Sequence, residues 1–311
     1  TFIVEERVFE ISAPIGLIEA EANEVIETSW DWDGPAGETG DLIAQSIAFG
    51  QIEGIFPMPD VSGQEDVSEF IFTIDHNETI SDVELGLRFD HTYLADLNIY
   101  LIHPDGTEVL LARRDGGSQN NYGSGNQDCT GELALFTDGA SQSISDGTPP
   151  YVGESRPREP FSAFAGKPSV GNWTLRIVDD WDWDQGTFYC GHLVISVENP
   201  NFIPIEINHS LSSKQSEWQV PEIIPEDKAG SYRLGFSNTS LGEAWSPGVV
   251  TLIATEQYLP PTNLNVSSGN AEVVVSWDAP ESGNVESYLV TGQPEGTCSS
   301  TSTSCVVTGL T

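Results

Sequence analysis

Residues 176 to 196 read RIVDDWDWDQGTFYCGHLVIS, and in this stretch Asp180, Asp182 and Asp184 alternate with Trp181 and Trp183, with Asp179 just before and Gly186 just after. Alternating carboxylates with a nearby glycine are the donor pattern of an oxygen-lined calcium loop, where the acids turn inward and glycine allows the bend. The spacing departs from an EF-hand, because Gln185 stands where glycine should follow the third acid and no Glu closes the loop. A solvated acidic turn whose Asp side chains cap backbone N–H groups fits the same residues. In an extended segment the two tryptophans would share one face and the aspartates the other. Such a pair either stacks on a sugar ring or packs against a neighbour. The neighbour at hand is the region 1–66, where the tetrad recurs as Trp30, Asp31, Trp32 and Asp33.

Catalytic frames are missing from the rest of the chain. There is no HExxH, no GxSxG, and no trio of segments of the kind that carries Asp, His and Ser in subtilisin-like peptidases. His76, His91, His103, His192 and His209 are scattered without ligand spacing, and no catalytic residue is assigned.

The net charge of −37 comes from 48 acidic against 11 basic residues, which excludes nucleic acid as a partner and disfavours anionic membrane surfaces. No apolar stretch reaches the length of a membrane span, so no membrane insertion is expected. Seven of the basic residues lie between Arg88 and Arg176. The four cysteines fall in two regional pairs, Cys129 with Cys190 and Cys298 with Cys305, and read as disulfides of an oxidising compartment. The absence of CxxC argues against structural zinc.

What must position these residues is a set of short strands. Thirty Gly, 19 Pro and no long apolar stripe of helical period predict a nearly all-β protein. The runs VELGLRF and LNIYLIH alternate apolar and polar residues before the turn His103-Pro104-Asp105-Gly106, which predicts a meander of half-buried antiparallel strands. NWTLRIV and GHLVISV are further strands, and DDWDWDQG connects them.

The segments ISDVELGL, HTYLADLNIYLIHPDGTEVLL, RPREPFSAFAGKPSVGNWTLRIVD and DQGTFYCGHLVIS, in this order across residues 67–199, resemble the P domain of proprotein convertases and their bacterial relatives. The resemblance implies a jelly-roll-type β-sandwich that accompanies a peptidase domain. It places Asp96 and Asp179 on positions that the family also fills with Asp, so that Asp96, Asp179, Asp180 and Asp184 form the candidate calcium set. It makes His91 a structural residue at a strand end, and it expects Arg156 of SRPREP to fork onto a buried carboxylate. The tryptophan usual in the family's last strand falls on Gly191, and a disulfide between Cys190 and Cys129 would replace its packing.

From residue 257 the sequence is similar to the first half of a bacterial fibronectin type III domain, which implies a buried second-strand tryptophan at Trp277 and Tyr288 on the third strand. The expected organisation is therefore 1–66, an unassigned β-rich region; 67–199, the P-like domain; 200–256, a possible Ig-like β region; and 257–311, the fibronectin-like half domain. The implied function is that of a non-catalytic tail of a secreted or cell-surface peptidase, whose partner is the catalytic domain of the same polypeptide. The alternative is an adhesion module that binds glycans or other extracellular proteins, with Trp181 and Trp183 as the platform.

Overall fold

A computed structural model describes residues 9–34, 36–60, 66–238, 242–255, 261–269, 271–280, 285, 287–292 and 296–308. Among the described residues are 22 strands and five short 3₁₀ turns, with no α-helix, so the all-β expectation holds. No helix of these residues is long and apolar enough to cross a membrane. The chain divides into two compact units, residues 1–222 with 228–253, and residues 223–227 with 254–311.

The first unit contains the sandwich expected from 67–199. One sheet runs Asp66–Ile74, Gly171–Asp179, Leu97–Ile102, Glu108–Arg113, with every pair antiparallel. The facing sheet places Gly153–Ser155, Ala134–Thr137, Ile80–His91, Gly186–Val197 and the end of Thr39–Met58 side by side. Alternation explains the core. Val83, Leu85, Leu87 and Phe89 of one strand meet Leu97, Ile99 and Leu101 of another, around Trp173, Phe72 and Phe188. The Trp173 indole N–H donates to the Ser169 carbonyl at 2.8 Å, so that burial leaves no polar atom unsatisfied there.

Both expected disulfides are present, Cys129–Cys190 and Cys298–Cys305. The first does not fill the place of the missing family tryptophan, which corrects the expectation. A Cβ on Gly191 would meet Phe72 Cζ at 2.7 Å and Phe188 Cζ at 3.1 Å, so two phenyl rings already occupy that core space. Neighbouring residues of a strand point to opposite faces, which places the Cys190 sulfur on the outer side of the sheet.

The 20-residue strand Thr39–Met58 runs through both halves of the unit. Ala48–Met58 pair with Gly186–Ile195, whereas Thr39–Ile47 pair with Phe202–Ser210 and Gly230–Asn238. The sheet continues through Val249–Leu252 to Leu17–Ala20. A second sheet of Phe9–Ala13, Val25–Trp32 and Gln215–Gln219 covers it around Ile11, Trp30, Trp32, Leu42, Leu211 and Phe236. The strands between 9 and 58 and those between 202 and 252 thus build one sandwich together, joined to the first by a shared strand. Residues 1–8, 35, 61–65 and 239–241 lie outside the described residues.

In the second unit Thr262–Ser268, Glu272–Asp278 and Ser304–Thr308 form a sheet, and Tyr288–Thr291 pairs with Thr297–Ser300. Trp277 is buried with Val275 and Cys305, and its ring meets Tyr288 edge-on at 5.0 Å, as the resemblance implies. Residues 256–260, 270, 281–284, 286, 293–295 and 309–311 lie outside the described residues.

Candidate functional site

The aspartate-tryptophan turn joins Gly171–Asp179 to Gly186–Val197 at one end of the first sandwich. Gly186 is required by close approach, because a Cβ there would overlap Met58 Cε and the His91 ring. Asp179 closes its strand, is buried, and has both carboxylate oxygens engaged: Oδ2 lies 3.0 Å from His91 Nε2, and Oδ1 accepts the Trp181 N–H at 3.2 Å. His91 is the buried last residue of Ile80–His91, in the structural role expected.

Asp96 ends the 3₁₀ turn Leu94–Asp96 and is buried beside this loop, its carbonyl accepting the Asp180 N–H at 3.0 Å. Burial, then the charges of Asp179 and Asp184, push its carboxyl up to about 6, and a hydrogen bond with Asp184 acts in the same direction. Asp184 also accepts the Thr92 hydroxyl at 2.7 Å.

Three of the four candidate ligands, Asp96, Asp179 and Asp184, therefore gather at one place. Asp180 turns to another side, where its Oδ2 accepts from Asn98 at 2.8 Å and from Arg114 at 2.6 Å. Among the described residues no group of three or more His, Cys, Asp or Glu is arranged to hold a metal ion.

The side chains of Trp181 and Trp183 are not buried against 1–66. Trp181 is 62% and Trp183 87% exposed, while Trp30 and Trp32 are buried in the second sandwich. There the Trp30 indole N–H donates to Leu211 O at 2.8 Å and its ring meets Phe236 at 4.7 Å. The physical reason is local. Val25–Trp32 is extended and its alternate residues share a buried face, whereas residues 181–183 form a bend and turn in which the chain reverses. Trp183 takes a φ of 89°, uncommon for a bulky side chain, and its N–H donates to Asp60 Oδ1 at 3.1 Å. Tyr93, 37% exposed, follows Thr92 at the same end. Asp60 and Tyr93 belong to segments distant in sequence, and no pattern in the chain pointed to them.

The arginine expectation is corrected too. Arg158, not Arg156, makes the fork, with Nε and a terminal nitrogen donating to the two oxygens of buried Asp115 at 2.8 and 2.5 Å. Arg156 is exposed. The backbone N–H of Arg158 donates to the Leu111 carbonyl at 3.0 Å, beside the strand that leads to Asp115, whereas that of Arg156 donates to Gln142.

One arrangement has the outline of a hydrolytic triad. His209 Nε2 lies 2.7 Å from Ser213 Oγ, and Nδ1 lies 2.6 Å from Glu206, whose carboxyl is held below its ordinary value by this contact. The surroundings oppose acyl transfer. The carbonyls of Ser210 and Gln215 lie 2.8 and 3.1 Å from Ser213 Oγ, so two backbone acceptors compete with His209 for the one hydroxyl proton. The serine instead ties a short turn to its own backbone.

Two family models agree with the architecture. Residues 80–195 match the family model of the proprotein convertase P-domain, and residues 259–311 match that of the fibronectin type III domain. No curated protein matches the chain. Among solved structures, the serine protease of Aeromonas sobria aligns at 17% identity and a TM-score of 0.30 over 53% of this chain and 28% of its own. The complex of that protease with its chaperone aligns at 16% identity and a TM-score of 0.28 over 52% and 28%. The matched part thus spans under a third of those chains.

Proposed function

We propose that this chain is a non-catalytic accessory portion of a secreted peptidase, in which the P-domain sandwich stabilises or regulates a catalytic domain in the same polypeptide and the fibronectin-like unit acts as a spacer. The observation that carries this reading is the P-domain match across 80–195, on a sandwich with the expected core. The two disulfides support an oxidising, extracellular setting. The test is to express the peptidase polypeptide with and without residues 67–199 and compare casein hydrolysis and half-life at elevated temperature. Equal yield, activity and half-life would refute the reading. The isolated chain should hydrolyse neither casein nor small esters, and a fluorophosphonate should leave Ser213 unlabelled.

Calcium belongs to this proposal as a stabiliser. Buried Asp96 faces Asp184, and two carboxylates within hydrogen-bond reach need a proton or a cation between them. Asp96 and Asp184 would face the ion and Asp179 would join only by giving up its bonds to His91 and the Trp181 N–H, whereas Asp180 would take no part, since Arg114 neutralises it. A glycan-binding module remains the second reading because Trp181 and Trp183, separated by one residue, are both exposed.

A further inference from the structure

The Trp181–Trp183 turn combines two features that the accessory-domain reading leaves unused. Its two indoles are the most exposed of the tryptophans, since Trp30, Trp32, Trp173, Trp218 and Trp277 are buried and Trp245 is partly buried. Exposed neighbouring indoles are costly to leave in water and mark a contact surface. Tyr93 lies at the same end, and Ile55, 74% exposed, stands on the strand that leads to Asp60.

The second feature is the sign of the charge around them. Asp60 is bound to the Trp183 amide, Asp182 stands between the two indoles in sequence, and Asp184 follows. No Lys or Arg occurs from residue 177 to 213 or from 8 to 87, the two stretches that supply the turn and the Asp60 strand end. Arg114, which reaches this end, is engaged with Asp180. A neutral sugar would use the ring faces and gain nothing from this field. A cation gains from both, because indole is the best aromatic partner for Arg or Lys and the carboxylates add Coulomb attraction. An anionic lipid surface is repelled.

We propose that the Trp181–Trp183 turn is a docking site for a cationic polypeptide segment, one that presents Arg or Lys side chains to the two indoles and their flanking carboxylates. Trp183 at φ 89° holds an indole outward in a conformation that bulky residues avoid, and its amide is pinned there by Asp60. The site does not depend on a peptidase being attached.

The test uses the full 311-residue chain in chelator, with three probes: a short Arg-Gly repeat peptide, the same peptide with citrulline for arginine, and cellohexaose. Affinity is measured by calorimetry, and occupancy by protection of the exposed tryptophan fluorescence from acrylamide. The arginine peptide should bind and protect, the citrulline peptide should do neither, and added salt should weaken binding. Trp183→Ala and Trp181→Ala should each lower affinity about two- to thirtyfold, the span of a single cation–π contact. Both side chains are mostly in solvent, so neither change threatens the fold, and an unchanged far-ultraviolet spectrum checks this. Equal affinity in the tryptophan variants would overturn the proposal, since binding would then be to the acidic surface at large. Equal binding of the citrulline peptide, or protection by cellohexaose alone, would overturn it as well.

Discussion

His192 offers the sharpest test of how the two sandwiches of the first unit are joined. It lies on Gly186–Val197 between Gln51 and Gly86 of the flanking strands, buried, with its ring edge-on to Phe49 at 4.8 Å. Neither ring nitrogen has a hydrogen-bond partner among the described residues. Burial, reinforced by the charge of Arg233, lowers its pKa from 6.5 to about 3. Arg233 is itself paired with Glu84 at 2.9 Å. Because the folded-state value is depressed, the unfolded chain takes up a proton first, so stability is intact above pH 6.5 and is lost as pH falls towards 3. At 1.36 kcal/mol per pH unit the loss is about 2 kcal/mol at pH 5 and about 2.7 kcal/mol at pH 4.5. His192→Leu, close to it in volume, removes this titration and two unpartnered nitrogens. At pH 8 the variant should be equal in stability or about 1 kcal/mol more stable. Urea unfolding of both proteins at pH 8, 6, 5 and 4.5 isolates the effect, since the carboxylates common to both cancel in the difference. The gap should widen by about 2 to 3 kcal/mol between pH 8 and 4.5. A gap that stays flat would refute the reasoning, and would mean that the imidazolium finds an acceptor, with the amide oxygen of Gln51, itself unpartnered, the candidate.

Arg158→Ala should cost about 2 kcal/mol in urea unfolding by stranding the buried Asp115 carboxylate, whereas Arg156→Ala should change stability by less than about 0.5 kcal/mol. Replacing Cys129 and Cys190 with Ala opens a 61-residue separation and should cost about 4 kcal/mol, against about 2 to 3 for Cys298 and Cys305, separated by 7; thermal unfolding of the two double variants ranks them. Gly186→Ala should lower the melting temperature by forcing Met58 and His91 apart, and a variant as stable as the parent would show that this strand end is loose. Calcium should raise the melting temperature more than magnesium does at the same concentration, and Asp184→Asn should remove the difference; equal shifts from both ions in both proteins would leave only screening of the acidic surface.

The same four residues, Trp-Asp-Trp-Asp, occur twice and meet opposite fates, which shows where a local pattern stops being informative. At 30–33 they continue the alternation of Ile26 and Thr28, every second side chain is buried, and Trp30 sits at the centre of a core. At 181–184 they follow Asp179 and Asp180, which are claimed by His91 on one side and by Asn98 and Arg114 on the other, and these opposed bonds end the strand before the first tryptophan. Counting tetrads predicts that the two pairs meet; tracing the register of the preceding strand separates them. The candidate site was legible in the same limited way. The motifs that gave the sandwich its order also brought Asp96 to the turn, because a strand order fixes which ends are neighbours. The direction in which Asp180 points depends on an arginine 66 residues away, and Asp60, 123 residues before Trp183, is placed by the strand that ends at Met58. The join between the two sandwiches was hidden for a related reason. Residues 39–58 hold Gly40, Gly50, Gly54 and Pro57, which read as breaks, yet that single strand supplies hydrogen bonds to both sandwiches. An isolated 67–199 segment would lose the partner of Gly186–Ile195 and uncover Val194 and His192 on its outer face. Solubility and stability of that shorter piece should therefore fall below those of 9–253, and a 67–199 fragment that unfolds at the same temperature as the longer one would show that the shared strand is an ornament to the sandwich and not part of it.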